Sequence, residues 1–325
     1  MIPYEWFEQA YERIRPHTIR TPVTQDVERG LFLKWENHQV TGSFKARGAL
    51  NKVLGLEDWE RTAGLVAASA GNHGQGVALA GQLTGSKVEV FVPAHAVPSK
   101  VEAIRALGGE VRFVDGGYGE TETVAEEYAR DKHKTFISPY NDGQIIAGQG
   151  TIALEVVHQL ADGFGAAPAD IAAWVFPTGG GGLISGCGAA LAARGSGARV
   201  YGVQPAASAF THSLFHRHTQ EGVRDNPTLA DGLSGAIDGD SITIPMLREL
   251  VTDIMTVSEV AIERAIAFAW WSYGEQIEGS AATSLAAVLE GTIAVRPCVV
   301  VLTGGNIQRE VFDEIVARLP AQAKQ

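Results

Sequence analysis

Lys45 stands in Thr41-Gly42-Ser43-Phe44-Lys45-Ala46-Arg47-Gly48-Ala49, just inside the expected start of a helix and bracketed by small residues. A lysine so placed can reach into a cleft and form a Schiff base with a carbonyl compound, provided other parts of the chain hold that compound. By itself the stretch reads as a Ser43-capped helix with a solvated lysine. Only partners elsewhere in the chain overturn that reading.

Three loops offer such partners. Pro177-Thr178-Gly179-Gly180-Gly181-Gly182-Leu183 follows the aliphatic run Ala172 to Phe176 and precedes a helix that begins near Leu183. Consecutive glycines let backbone N–H groups close on an anion, and the helix start adds partial positive charge, so a phosphate is the expected ligand. The loop is neither GxGxxG nor GxxxxGK[ST], which disfavours a dinucleotide or a nucleoside triphosphate. Ser69-Ala70-Gly71-Asn72-His73 also joins a strand to a helix, with hydroxyl, amide and N–H groups suited to a carboxylate on one side and a ring hydroxyl on the other. Alone, it reads as an Asn72 helix cap beside a surface histidine. Thr303-Gly304-Gly305-Asn306 follows the run Cys298 to Leu302 and puts a hydroxyl at a strand's carboxyl end, where open parallel sheets bind ligands.

The elements that must position these groups alternate. A short strand is expected at Leu31 to Glu36, and buried parallel strands at Leu65 to Ala68, Val88 to Val92, Val111 to Val114, Thr135 to Ile137, Ala172 to Phe176, Val200 to Gln204 and Cys298 to Leu302. Helical spacing occupies Tyr4 to Arg15, Gly74 to Leu83, Lys100 to Leu107, Thr121 to Lys132, Ala147 to Leu160 and Glu259 to Tyr273. The fold class is α/β, with two open, mostly parallel three-layer α/β/α domains, the smaller inserted in the larger. Residues 1–54 and 144–325 are expected to form the large, cofactor-binding domain and 55–143 a small, mobile one. Ala321 to Gln325 reads as a frayed tail.

Composition narrows the function classes. Of 325 residues 45% are hydrophobic, which supports a sizeable core, and no apolar run approaches the roughly 20 residues of a membrane span. A net charge of -11 repels nucleic acid, and the two cysteines, Cys187 and Cys298, lack the spacing of a zinc site. The N-terminus is charged from Glu5 on and carries no signal-peptide h-region, so a cytoplasmic protein is expected.

Together the four segments resemble the pyridoxal-phosphate enzymes of fold type II, the tryptophan synthase β-like family, in its serine/threonine dehydratase and serine racemase branch. The resemblance runs from Pro22 to Asn306 and includes Ala147-Gly148-Gln149-Gly150-Thr151 and Ala230-Asp231-Gly232. It implies that Lys45 carries pyridoxal 5'-phosphate and acts as the catalytic base, with Phe44 beside the cofactor ring. It further implies a substrate-carboxylate loop at Ser69, Ala70, Gly71, Asn72 and His73, with Asn72 also bonded to the ring hydroxyl. Gly179, Gly180, Gly181, Gly182 and Leu183 match the phosphate cup, Thr303 the partner of the pyridine nitrogen, and Glu278 an acidic residue near the ring. A homodimer and a small amino-acid substrate are implied in the same way.

Two departures sharpen the reading. Racemases of this branch keep a serine as second base where this chain has Ala70, which cannot exchange a proton. Elimination is therefore expected: dehydration of L-threonine or L-serine to a 2-oxo acid and ammonia. The alternatives are a dehydratase for 3-hydroxyaspartate or phenylserine, a serine racemase, or a non-catalytic phosphate-ligand binding protein. The family's metal positions match Gln204 and Phe210, which offer too few oxygens and no charge, so no metal is expected. His212, His216 and His218 reopen that question, since 212 and 216 share a face if their segment is helical. The chain ends soon after Asn306, so feedback inhibition through a C-terminal regulatory domain is not expected.

Overall fold

The computed structural model describes residues 2–321; of the tail expected to fray, all but Ala321 lies outside the described residues. The chain opens with α1 (Tyr4–Ile14), β1 (Val23–Asp26), β2 (Leu31–Trp35) and α2 (Lys45–Leu54). It continues through α3 (Asp58–Ala63), β3 (Leu65–Ala68), α4 (Asn72–Thr84), β4 (Val88–Pro93), α5 (Pro98–Ala106), β5 (Glu110–Val114), α6 (Tyr118–Asp131) and β6 (Thr135–Phe136). Then come α7 (Gly143–Phe164), β7 (Ala173–Pro177), α8 (Gly182–Ala193), β8 (Arg199–Pro205), α9 (Phe210–Arg217), α10 (Thr243–Leu250) and β9 (Asp253–Val257). The last elements are α11 (Glu259–Tyr273), α12 (Gly279–Leu289), β10 (Cys298–Leu302) and α13 (Arg309–Arg318). No helix among the described residues is long and apolar enough to cross a membrane.

Two sheets result, in the orders β1-β2-β10-β7-β8-β9 and β5-β4-β3-β6. All pairings are parallel except β1 with β2. β10 is central because both faces are apolar: Cys298, Val300 and Leu302 enter one core layer, Val299 and Val301 the other. The small sheet has its own two layers, with Val77 and Ile104 on one side and Ala125 and Ala129 on the other. Ala46, Ala49, Leu50 and Val53 of α2 join the first of these, so the lysine-bearing helix packs on α4, which covers the small sheet, as well as on α7. A Cβ at Gly76 would lie 3.1 Å from the Lys45 carbonyl, so α4 and α2 cross this closely because a side chain is missing there.

β1 and β9 were not foreseen from the sequence. Val23-Thr24-Gln25-Asp26 has one apolar residue, and Asp253-Ile254-Met255-Thr256-Val257 opens on an aspartate; both are edge strands, which need only half an apolar face.

Connectivity places the cleft. In the large sheet the chain runs outward from β7 to β8 and β9 on one side, while β10 adjoins β2 and β1 on the other. In the small sheet β3 leads to β4 and β5, and β6 returns on the opposite side. Each sheet thus has a point where strand order reverses, and crevices outside the strand carboxyl ends open there. The loops after β3, β6, β7 and β10 all line one cavity of about 300 Å³.

Candidate active site

Backbone pairing beyond the sheet fixes the lysine. Ser43 forms an antiparallel bridge with Gly304, Phe44 N–H donates to Thr303 O at 3.0 Å, and Gly305 N–H donates to Gly42 O at 2.9 Å. The segment before α2 is thereby stitched to the loop after β10. Gly42 is required in this turn: its φ is +68°, and a Cβ would sit 2.6 Å from Asn306 Oδ1. Ser43 Oγ accepts from Lys45 N–H at 3.2 Å, so the serine does serve the helix start, though as a local turn two residues away.

Lys45 lines the cleft and is half-buried as a residue, with its Nζ donating to Pro139 O at 2.8 Å in the loop after β6. Burial of the ammonium lowers its pKa to about 8, against the charges of Glu122 and Glu278, which raise it. Phe44 lies beside it, its ring 5.3 Å from Nζ.

Asn72 does not cap α4. Gly71 occupies the cap position, and the Asn72 side chain instead donates to Glu278 Oε1 at 2.8 Å and accepts from Asn306 Nδ2 at 2.7 Å. Asn306 also donates to Thr41 O at 2.8 Å, so one amide chain joins the loops before α2, α4 and α12 to the loop after β10. Burial, and secondarily Asp231, push the Glu278 carboxyl up to about 7. His73 is buried and donates Nε2–H to Ile137 O at 2.7 Å; burial and Lys45 lower its pKa to about 3, so it is neutral and not a surface residue. Ser69, Ala70 and Gly71 line the cleft beside it, with Gly71 N–H donating to Ser69 Oγ at 3.1 Å. Thr303, 2% exposed, lines the same cleft with Glu278.

The glycine loop after β7 is shaped by two hydroxyls that the sequence did not single out. Thr211 Oγ1 donates to Gly179 O at 2.6 Å and Thr243 Oγ1 to Gly180 O at 2.8 Å. In a trans peptide the N–H points opposite the preceding carbonyl, so these bonds turn the N–H groups of Gly180 and Gly181 away from the two threonines. No N–H of Gly179 to Gly182 has a hydrogen-bond partner among the described residues, although all four glycines and Leu183 line the cleft. Gly181 has φ +85°, and a Cβ at Gly180 would meet the Tyr140 ring at 2.3 Å. Unpaired amides, a lysine and a left-handed turn in one cavity make a cradle that fits an aldehyde bearing a phosphate.

The histidine cluster is elsewhere. His212 and His216 do share a face of α9, with ring centroids 4.5 Å apart, and both approach Ile254 O, while His216 also pairs with Asp253 at 3.0 Å. His218 ends the helix with a left-handed backbone. Gln204 is fully buried and accepts from His212 N–H at 2.7 Å. Among the described residues no three His, Cys, Asp or Glu side chains are grouped as metal ligands.

Comparison with known proteins adds the following. Residues 14–304 match the family described as pyridoxal-phosphate dependent enzyme. An L-threonine ammonia-lyase of Thermotoga maritima is 36% identical over 97% of this chain and 78% of its own. Among solved structures, a T.th. threonine deaminase superposes with TM-score 0.83 at 35% identity, covering 94% of this chain and 98% of its own. A maize serine racemase superposes with TM-score 0.86 at 29% identity, covering 97% of each chain.

Proposed function

The chain belongs to the pyridoxal-phosphate-dependent enzyme family, and we propose that its site removes water and ammonia from a small β-hydroxy amino acid, L-threonine or L-serine, leaving a 2-oxo acid. The observation that carries this reading is Lys45, held at the meeting of the four loops with Ala70 in the cleft beside it. Lys45, Phe44, Asn72, Glu278, Thr303 and the Gly179–Leu183 loop are the residues that would hold the cofactor. Pyridoxal phosphate, when bound, supplies the electron sink for the bond broken at Cα.

Lys45 takes the Cα proton, since burial leaves its amine neutral at a pH far below that of an exposed lysine. Ser69, Gly71 and His73 bind the substrate carboxylate at the start of α4, where the helix dipole favours an anion. Ala70 holds no exchangeable proton, so none is returned to the opposite face of Cα, and elimination outcompetes racemisation. Likeness to the maize serine racemase favours racemisation as the second reading; Ala70 speaks against it. Closure of residues 55–143 over the remainder would exclude water during the reaction. The working form is a cytoplasmic homodimer.

Purified holoenzyme offered L-threonine, L-serine, 3-hydroxyaspartate and phenylserine should release 2-oxo acid and ammonia fastest from the first two. Absence of a borohydride-sensitive visible band from protein saturated with pyridoxal phosphate would leave a phosphate-ligand binding protein. Interconversion of L- and D-serine as fast as dehydration would remove the role given to Ala70.

A further inference from the structure

Tyr118 and Glu122 of α6 have no task in that reading, yet they face the lysine. Tyr118 lines the cleft, and its hydroxyl lies 3.0 Å from Glu122 Oε1. Tyr118 is 38% exposed, and Tyr140 and Asp238 lie within electrostatic reach of its hydroxyl. Tyr140 accepts from Asp238 N–H at 3.0 Å, so these two groups of the opposite wall are tied together. Facing Glu122 are Tyr118 and Glu126 on its own helix, Asp238 on the loop before α10, and Lys45 on α2; Asp240 faces Glu126 from that loop. Among carboxylates, Glu122 is the strongest charge acting on Lys45.

Loss of a β-hydroxyl needs an acid. The Cβ–O bond breaks, the oxygen keeps the electron pair, and it departs readily only when a proton reaches it. We propose that Tyr118 is the catalytic residue that meets the substrate's β-hydroxyl and donates that proton, with Glu122 the positioning residue that restores it. The phenolic proton passes to the departing oxygen, giving water; the Glu122 carboxyl proton moves to the tyrosine oxygen; the carboxylate regains a proton from solvent at the cleft mouth. This rests on the β-elimination reading above.

The surroundings suit the task. Burial, followed by Asp238 and Glu126, pushes the Glu122 carboxyl up to about 7, against the Tyr118 hydrogen bond and Lys45, so a protonated fraction persists near neutrality. A protonated carboxyl donates to the tyrosine oxygen across the same contact and frees the phenolic hydrogen for the substrate. Burial and Glu122 hold the Tyr118 phenol well above its ordinary pKa, so it keeps its proton until the substrate demands it.

The test compares L-serine with β-chloro-L-alanine, whose chloride leaves without a proton, on wild type, Tyr118→Phe and Glu122→Gln holoenzymes. Tyr118→Phe should lose about 100-fold in kcat on L-serine while β-chloroalanine turnover stays within about twofold. In wild type, kcat on L-serine should pass through an optimum between about 7 and about 8 and fall above it as Glu122 loses its proton, and Glu122→Gln should abolish that alkaline limb. The cofactor band should match wild type in both variants. Equal losses on the two substrates, no loss on either, or a persisting alkaline limb in Glu122→Gln overturns the assignment. Loss of the band also overturns it, by making the pair part of the cofactor site. A wild type that consumes β-chloroalanine but no β-hydroxy amino acid refutes the functional reading instead.

Discussion

Two lysines eleven positions apart in the chain show what burial does with and without compensation. Lys34, in β2, is 0% exposed and spends all three N–H donors: on Thr21 O at 2.7 Å, Glu155 Oε1 at 2.5 Å and Gln159 Oε1 at 2.9 Å. Arg47 completes the cluster, bonding both oxygens of Glu36 at 2.8 Å and both of Glu155 at 3.0 Å. Two cations and two anions sealed together are neutral as a set and tie α2 to β2 and α7. Lys45, two residues before that arginine, has one carbonyl partner and no carboxylate in contact. Burial lowers the pKa of both amines, but Glu36 and Glu155 oppose it strongly only at Lys34. One buried charge is structural because its partners are complete; the other, whose partners are not, is the one we propose to be reactive.

The contrast can be broken most directly at Lys45. Lys45→Ala should abolish the borohydride-sensitive visible band and all turnover while lowering unfolding free energy by no more than about 1 kcal/mol, since the one hydrogen bond lost is offset by removal of an ammonium that burial disfavours. A denaturation midpoint well below wild type would mean that Lys45 is structural after all. Lys34→Met should do the reverse. It strands two buried carboxylates against a single remaining cation and should cost about 3–5 kcal/mol in urea unfolding, with any protein that folds still binding cofactor. An unchanged midpoint would dissolve the distinction.

A smaller effect sharpens it. Apo-protein should take up pyridoxal phosphate at a rate that climbs with pH through about 8 and then levels, because the attacking amine must be neutral. A rate still rising at pH 10 would assign Lys45 the pKa of a solvated lysine.

What the sequence disclosed follows the same physics. Cys298 to Leu302 was legible to the residue because five consecutive apolar positions suit a strand covered on both faces. The four loops were legible because glycine runs and strand-end hydroxyls are rare and local. Lys34 and Arg47 were not, since a cation between aliphatics looks solvated until Glu36 and Glu155, the latter 108 residues beyond Arg47, are seen to meet it. Thr211 and Thr243 were hidden for the same reason, reaching carbonyls 32 and 63 residues away. Glu122 sits in the acidic run Glu120-Thr121-Glu122-Thr123 and reads as a wetted face; only the turning of α6 toward the cleft gives it a site.

The glycine loop after β7 has a consequence for cofactor traffic. Because Thr211 and Thr243 hold its carbonyls back, its amides are arranged before anything arrives, and little chain freedom remains to be lost on binding. Such a preorganised cup recognises oxyanions by main chain alone and cannot tell the cofactor's phosphate from free phosphate in a buffer. Discrimination falls to the ring-side residues and to the covalent bond proposed at Lys45, so inorganic phosphate should act as a rival for the vacant enzyme and as a bystander once that bond has formed.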